Sequence, residues 1–265
     1  MSESARPDIG SGGPGHGDGR RRFIGVGVGP GDPELVTFKA ARVLRTADVI
    51  LVPATEASAD GPGRAERIIA DVVPDGAARI RRIPFSMAQR RGVGARRADS
   101  WRASADAAVE AFESGCRTVA FATVGDPAVF STFSYLRATL ARRMPDVDYG
   151  LVPGITAMQA LAAASTTPLA EGREVLALVP ATVGTDRLGR LLDVVDSVVI
   201  YKGGRTLPEV LRALRERGRR AVIGTDVSLP DQQLVDLDEI DADETRPYFS
   251  AVLTTPERTI TGGRI

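Results

Sequence analysis

The sequence predicts an α/β protein of two α/β lobes with a cleft between them, and three observations carry that expectation. Short apolar runs rich in valine and isoleucine lead repeatedly through a glycine turn into a stretch of helical period, the signature of βα units. The pattern restarts at about residue 166, after an alanine-rich helix, so a second lobe follows the first. The length, 265 residues, is enough for two modest lobes with proper cores. Residues 1–21, rich in Gly, Ser and Pro without an apolar period, read as a disordered leader, residues 22–168 as the N-terminal lobe and residues 169–265 as the C-terminal lobe.

The first unit, residues 23–47, is the one around which the rest is organised. Residues 23–28 (FIGVGV) are a short strand, Gly29, Pro30 and Gly31 make the turn, and Asp32 before Pro33 reads as an N-cap with proline at the first helical position. Val36, Ala40, Val43, Leu44 and Ala47 recur at helical spacing, so the helix lays one apolar face on a sheet. The glycines suggest a dinucleotide fingerprint, but the register fails. Counted from Gly25 the third glycine position is Pro30, and counted from Gly27 it is Asp32. An aspartate at the helix start repels phosphate, so the turn suits a neutral or positively charged ligand. No Gly-Lys-Ser/Thr follows, which excludes a Walker loop.

Residues 49–52, an unbroken apolar run ending at Pro53, suit a strand buried on both faces. A helix near 64–73 and a strand at 79–83 closed by Pro84 come next. The following segment carries Arg90, Arg91, Arg96, Arg97 and Arg102, and reads either as a solvated loop and helix start or as a lid presenting guanidinium groups to a polycarboxylate. Trp101, Ala105, Ala108, Val109 and Phe112 mark the buried face of a helix that Gly115 ends. Residues 118–122 are a strand running into Val124, Gly125, Asp126 and Pro127. Residues 149–152 run likewise into Pro153 and Gly154, then Ile155, Thr156, Ala157 and the alanine-rich helix. One glycine corner alone is an ordinary connection; three on the carboxyl edge of one sheet form a pocket for a small ligand.

In the second half, residues 175–179 form a strand closed by Pro180, residues 185–195 a helix, and residues 198–201 a strand leading to Lys202, Gly203, Gly204 and Arg205. Thr206 with Glu209 reads as a capping box, with Pro208 in the first turn. Gly218 ends that helix, and strands are expected at 221–224 and 248–254. The acidic segment between them, 226–246, is expected to hold loops and a hairpin. The cleft between the lobes is the natural place for a large substrate.

Composition narrows the chemistry. The 34 basic and 34 acidic residues balance, which counts against a nucleic-acid partner. Lys39 and Lys202 are the only lysines; codon usage accounts for such a bias, and arginine forks also suit carboxylate ligands. Cys116 is alone, and His16, in the leader, is the only histidine, so the folded part has no disulfide framework, no cysteine or histidine metal site and no histidine triad. No apolar run reaches membrane-spanning length and no signal peptide is recognisable, so a cytoplasmic protein without a membrane partner is expected.

GVGVGPGDPELVTFKAARVL, TVGDPAVFSTFSYL, LVPGITAMQALAAA and VVIYKGGRTLPEVL, in that order, resemble the four hallmark segments of the tetrapyrrole methylase family, which uses S-adenosylmethionine. The FSTFSYL run, PLAEG before the second lobe, the turn from Lys202 to Arg205, PDQ at 230–232 and PYFS at 247–250 are similar to members acting in the cobalamin pathway. The resemblance covers residues 23 to about 255. It implies a mostly parallel N-terminal sheet, a mixed C-terminal sheet and a homodimer. It also implies a methyl-donor site at Pro30, Val124, Gly125, Asp126, Val129, Thr156, Ala157, Tyr201, Asp226 and Val227. A sulfonium is cationic, which suits Asp126 as a ligand; Asp126 also suits a cap on the helix after Pro127, and Asp32 is fully explained as a cap. Phe130 departs from the family, whose members often carry tyrosine there.

The reaction so implied is an SN2 transfer of methyl from sulfur to a meso carbon of a reduced tetrapyrrole. The donor is already activated, and alignment in a dry cleft contributes on the order of 7–11 kcal/mol. The proton acceptor is open among a carboxylate, Tyr201, Tyr248, water and the macrocycle itself, and no catalytic residue is assigned. Acetate and propionate side chains call for arginine forks, with Arg82, Arg90, Arg91 and Arg205 as the substrate-binding candidates. The competing expectations are a family member with another target carbon, a diphthamide-pathway enzyme or a ribosomal RNA methylase. Outside the class they are a nicotinamide-dependent oxidoreductase with Glu56 on the ribose and a non-catalytic binding protein that has kept the pocket.

Overall fold

The structure, a computed structural model, describes residues 20–54, 61–84 and 95–258. The leader up to residue 19, Glu56, Arg90 and Arg91 lie outside the described residues.

The first lobe is built on β1 (Arg22–Gly27), β2 (Val49–Ala54), β3 (Ile80–Pro84), β4 (Thr118–Thr123) and β5 (Asp148–Val152). They form one sheet in the order β3-β2-β4-β1-β5, with every neighbouring pair parallel. The central strands β1 and β4 are buried on both faces, which is why their sequences are apolar without alternation. On one face α1 (Phe38–Thr46) and α2 (Arg64–Val72) cover a core that includes Val26, Leu44, Ile50 and Ile69. On the other, α3 (Ala95–Glu113) and α4 (Phe133–Ala141) cover Phe23, Leu51, Phe112 and Phe121. Phe133 of α4 stacks on Phe23 at 5.6 Å, and a Cβ on Gly25 would stand 2.7 Å from that ring, so the strand needs glycine there.

The first helix does not start where Asp32 and Pro33 predict. Asp32 accepts from the Glu34 N–H at 2.8 Å and caps only a single 3-10 turn, Pro33–Leu35. Val36 is then extended, with its side chain against the core, and Thr37 becomes the cap of α1, its hydroxyl accepting from Ala40 N–H at 3.1 Å. Two good caps stand five positions apart, and the second puts Ala40, Val43 and Leu44 on the sheet.

The second lobe holds β6 (Leu176–Pro180), β7 (Ser197–Tyr201), β8 (Ala221–Thr225), β9 (Gln233–Asp236) and β10 (Ser250–Thr254), in the order β6-β7-β10-β8-β9. Only β6 and β7 pair in parallel, so the sheet is mixed; the acidic segment contributes one strand, β9, which pairs antiparallel with the preceding β8 instead of forming a hairpin of its own. Helices α6 (Thr185–Val194) and α7 (Leu207–Arg215) cover one face. The opposite face is covered by α5 (Ala157–Ala164), which precedes residue 168 in the chain. Its Ala160 and Leu161 pack with Val199, Val227, Ala251 and Leu253. Gly224 makes room for that helix, since its Cβ would stand 2.6 Å from Leu161.

The capping box expected at Thr206 and Glu209 is not formed. Gly204–Thr206 already turns as a 3-10 helix, Thr206 has φ −97° and ψ 9° rather than extended angles, and its hydroxyl donates back to Gly203 O at 3.0 Å. A comparable arrangement is made at α5 instead, where Gln159 Oε1 accepts from both the N–H and the hydroxyl of Thr156 at 2.9 Å.

Candidate functional site

Because β4, β1 and β5 are adjacent and parallel, the three glycine corners fall side by side at one edge. They are packed backbone to backbone. A Cβ on Gly27 would stand 2.5 Å from Gly125 O and 2.6 Å from Gly154 N, and Gly125 N–H donates to Gly29 O at 2.7 Å. Asp126 joins them: Oδ1 accepts from Ala128 N–H at 2.7 Å and Oδ2 from Gly154 N–H at 2.9 Å. Its carboxylate therefore caps the turn after Pro127 and ties the second corner to the third, and both oxygens already have backbone partners.

The second lobe faces this rim with the carboxyl ends of β7 and β8 and the entry to β10. Tyr201, the last residue of β7, accepts from Met158 N–H of α5 through its hydroxyl at 3.0 Å. Burial pushes the Tyr201 hydroxyl pKa up, with the Met158 amide opposing. The Phe130 ring lies 5.3 Å from Tyr201, and Lys202 Nζ stands 5.5 Å from the Phe130 ring. Farther along, Asp32 N–H donates to Ser228 Oγ at 3.2 Å, and Gly31 lies under Leu229 so closely that a Cβ would stand 2.8 Å from it. Asp226 pairs with Arg64 of α2.

The residues expected at the donor site are thus brought to two facing edges. Pro30, Val124, Gly125, Asp126, Val129, Thr156 and Ala157 line the first lobe, and Tyr201, Asp226 and Val227 the second. Pro30, Thr156 and Val227 are buried, and the others are half-buried. Five described residues other than glycine have positive φ, and four of them stand on these edges: Phe130 (50°), Lys202 (60°), Asp226 (49°) and Ser228 (71°). Such backbone conformations persist only where the surroundings impose them, and they concentrate at ligand sites.

The arginines expected to meet substrate divide. Arg82 is held by Glu66 in a bidentate pair, Nε to Oε2 at 2.8 Å and Nη2 to Oε1 at 2.9 Å, so its fork is already filled. The hydrogen bond and charge of Glu66 raise the pKa of Arg82 above its ordinary value. Arg205 is exposed in the turn before α7, and among the described residues nothing pairs with its guanidinium. Arg102 pairs with Asp99 on α3. Among the described residues no three His, Cys, Asp or Glu side chains are grouped so as to hold a metal ion. A small apolar recess lined by Pro53, Pro84, Trp101, Phe121 and Leu136 lies within the first lobe and includes none of the donor-site residues.

Arg64 and Phe249, to which the sequence assigned no role of their own, stand beside Tyr248 at the cleft. Arg64, at the start of α2, lies over the Phe249 ring with Cζ 3.7 Å from its centroid, and Tyr248 meets Phe249 edge-on at 5.2 Å. The PYFS segment was the signal for the aromatics. Nothing local signals a pairing of Arg64 with a residue 162 positions away.

The model of the Tetrapyrrole (Corrin/Porphyrin) Methylases matches residues 22–241. The chain is 37% identical over 243 residues to a precorrin-2 C(20)-methyltransferase of Sinorhizobium sp, covering 89% of this chain and 96% of that protein. It is 30% identical over 239 residues to the cobalt-precorrin-2 C(20)-methyltransferase of Salmonella typhimurium, covering 89% and 97%. Among solved structures, a cobalt precorrin-4 methyltransferase superposes with a TM-score of 0.65 at 21% identity, over 88% of this chain and 94% of that one. The uroporphyrin-III C-methyltransferase of Thermus thermophilus complexed with S-adenosylhomocysteine superposes with a TM-score of 0.61 at 24% identity, over 88% and 96%. At these identities the structural likeness establishes the fold.

Proposed function

From the premise that the chain belongs to the tetrapyrrole methylase family, we propose that it transfers a methyl group from S-adenosylmethionine to carbon 20 of precorrin-2 or its cobalt form. The observation that carries this reading is the rim of three glycine corners packed on one another and faced by Tyr201 and Asp226. The full-length similarity to C(20)-methyltransferases supports the choice of acceptor.

The residues present fit such a donor. The rim is poor in side chains, so a ligand meets backbone carbonyls and amides, and the aromatic rings of Phe130 and Tyr201 stand beside it. Carbonyl oxygens and ring faces favour a cation. When bound, the donor supplies an activated methyl on a positively charged sulfur. What the chain then has to do is align and exclude water. The packed corners fix the donor side of the cleft, and the rings of Phe130 and Tyr201 stand beside it.

Tyr201 acts in this reading as a neutral group. Its hydroxyl accepts from the Met158 amide and its burial favours the protonated form, so it holds the start of α5 rather than taking a proton from the substrate. Arg205, with its fork open, is the described arginine suited to a substrate carboxylate, and Arg90 and Arg91 remain candidates from the sequence. Arg82, its fork filled by Glu66, is the weakest of the four. The same reading makes the enzyme a cytoplasmic homodimer; no described helix is long and apolar enough to cross a membrane.

The test is incubation with methyl-labelled S-adenosylmethionine and precorrin-2, in parallel with the cobalt-loaded form, followed by mass and NMR analysis of the pigment. One added methyl at carbon 20 supports the proposal. A methyl at another carbon, or none with either pigment, refutes it.

A further inference from the structure

The second lobe closes the cleft with a turn whose backbone is held in an unfavourable conformation. Asp226 and Ser228, at φ 49° and 71°, both lie in the left-handed region, which L side chains occupy only when neighbours hold them there. Two groups of the first lobe reach this turn. Asp32 N–H donates to Ser228 Oγ at 3.2 Å, and the Arg64 guanidinium donates to Asp226 Oδ1.

Arg64 does more than pair. Its guanidinium lies over the Phe249 ring, with Cζ 3.7 Å from the centroid, and Phe249 leads into β10. Asp226 N–H in turn donates to Phe249 O at 3.1 Å. One side chain from α2 therefore engages both halves of the second lobe's edge, the turn after β8 and the entry to β10. The side chains of Arg64 and Asp226 are 12% and 22% exposed, so solvent screens the pair little. Nη2 is taken by Asp226, and Nε is enclosed with no hydrogen-bond partner among the described residues. An enclosed donor left unmet costs stability, so the arrangement is not the one that stability alone favours. The enclosure also keeps the fork from a substrate carboxylate. On the first-lobe side the same turn presses on the Gly31 corner, next to Pro30.

We propose that Arg64 is a positioning residue for the donor site: clamped between the Phe249 ring and the Asp226 carboxylate, it holds the 226–228 turn of the second lobe against the 30–32 corner of the first. Donor affinity then depends on the lobes being clasped at this point. Asp226 serves through the shape of its turn, and Arg64 acts on the donor only through that turn. The inference rests on the reading that the cleft takes S-adenosylmethionine.

The experiment is titration calorimetry with S-adenosylhomocysteine on the full chain, with binding stoichiometry reporting the folded fraction. Arg64→Ala and Asp226→Ala are each expected to raise Kd by about tenfold or more, at a stoichiometry equal to wild type. The double variant is expected to stand within about twofold of the weaker single variant, the non-additivity of one shared contact. Arg64→Lys keeps the charge and loses the flat fork, so its Kd falls between wild type and Arg64→Ala. For the Arg64 variants the loss is expected in the donor KM rather than in kcat at saturating donor, because it lies in binding rather than in the chemical step. A Kd for Arg64→Ala within about twofold of wild type, or single effects that multiply in the double variant, overturns the inference. Should Arg64→Ala fail to fold, Arg64→Lys and Asp226→Asn decide it: both binding as wild type overturns it, and both weakened at full stoichiometry upholds it. A wild-type chain that binds no S-adenosylhomocysteine overturns both the inference and the reading beneath it.

Discussion

Asp126 Oδ2 accepts a hydrogen bond from the backbone N–H of Gly154 at 2.9 Å, and so a single side chain ties the corner after β4 to the corner after β5. Its other oxygen accepts from Ala128 N–H at 2.7 Å. Asp126→Ala leaves two amides without a partner and is expected to destabilise the chain by about 1–3 kcal/mol while weakening S-adenosylhomocysteine binding. Asp126→Asn keeps one acceptor oxygen and loses less of both. Denaturant unfolding and calorimetry read the two effects, and an unchanged midpoint for Asp126→Ala rules out the tie.

Gly27 and Gly154 have no space for a methyl group. A Cβ on Gly27 would stand 2.5 Å from Gly125 O, and one on Gly154 would stand 2.8 Å from Gly27 C, so backbone rather than a pliant side chain has to move. Each glycine-to-alanine change is expected to cost about 1–3 kcal/mol or more and to abolish measurable donor binding. Gly61, with nothing within 4 Å of its Cβ position, is the control. Gly61→Ala is expected to stay within about 0.5 kcal/mol of wild type. Equal behaviour of all three variants in thermal unfolding refutes the packing argument.

Tyr201→Phe removes the acceptor of the Met158 amide, with an expected loss of about 1–3 kcal/mol near neutral pH. Its pH dependence follows from the direction of the pKa. Burial raises the folded-state pKa above the unfolded value of about 10, so the associated stability is fully present below about pH 10 and is lost as pH rises through the folded-state pKa. Wild type is therefore expected to lose stability more steeply than Tyr201→Phe in alkaline unfolding. Tyr149, whose pKa burial also raises, leaves part of that loss in the variant. The pH–rate profile between about pH 6 and 9 should keep its shape in Tyr201→Phe; disappearance of a limb there makes Tyr201 the proton acceptor after all.

Arg205 and Arg82 are expected to differ as substrate contacts. Arg205→Ala should raise the tetrapyrrole KM by about tenfold, the equivalent of one lost charge-assisted contact of about 1.4 kcal/mol. Arg82→Ala, losing only its pair with Glu66, should stay within about threefold. Steady-state kinetics decides between them, and a larger effect at Arg82 than at Arg205 reverses the assignment.

Much of the first lobe was legible because its strands are apolar runs closed by glycine or proline, and the corners carry their own punctuation in Gly29, Gly125 and Gly154. Local signals failed where two of them competed. Asp32 and Thr37 are both good caps, and only the packing of Val36 and Ala40 selects the second for α1. Thr206 and Glu209 have the spacing of a capping box, yet the preceding turn already sets the backbone of Thr206. Long-range order left no local trace. Nothing in residues 250–254 says that β10 lies between β7 and β8, and nothing in residue 64 says that its partner is Asp226. At the site, residues reachable through backbone turns could be named from sequence, whereas the clasp of Arg64, Asp226 and Phe249 depends on how the two sheets meet.

Helix α5 starts at the rim of glycine corners and ends buried on the second sheet, whose middle strand, β10, is the last of the described strands. During synthesis the ribosome therefore releases the first lobe with Leu161 still bare, and that face is fully covered only after residues 250–254 have joined Val199 and Val227. A polypeptide cut near residue 168 should yield two halves that are each sticky alone and that recover donor binding only when mixed.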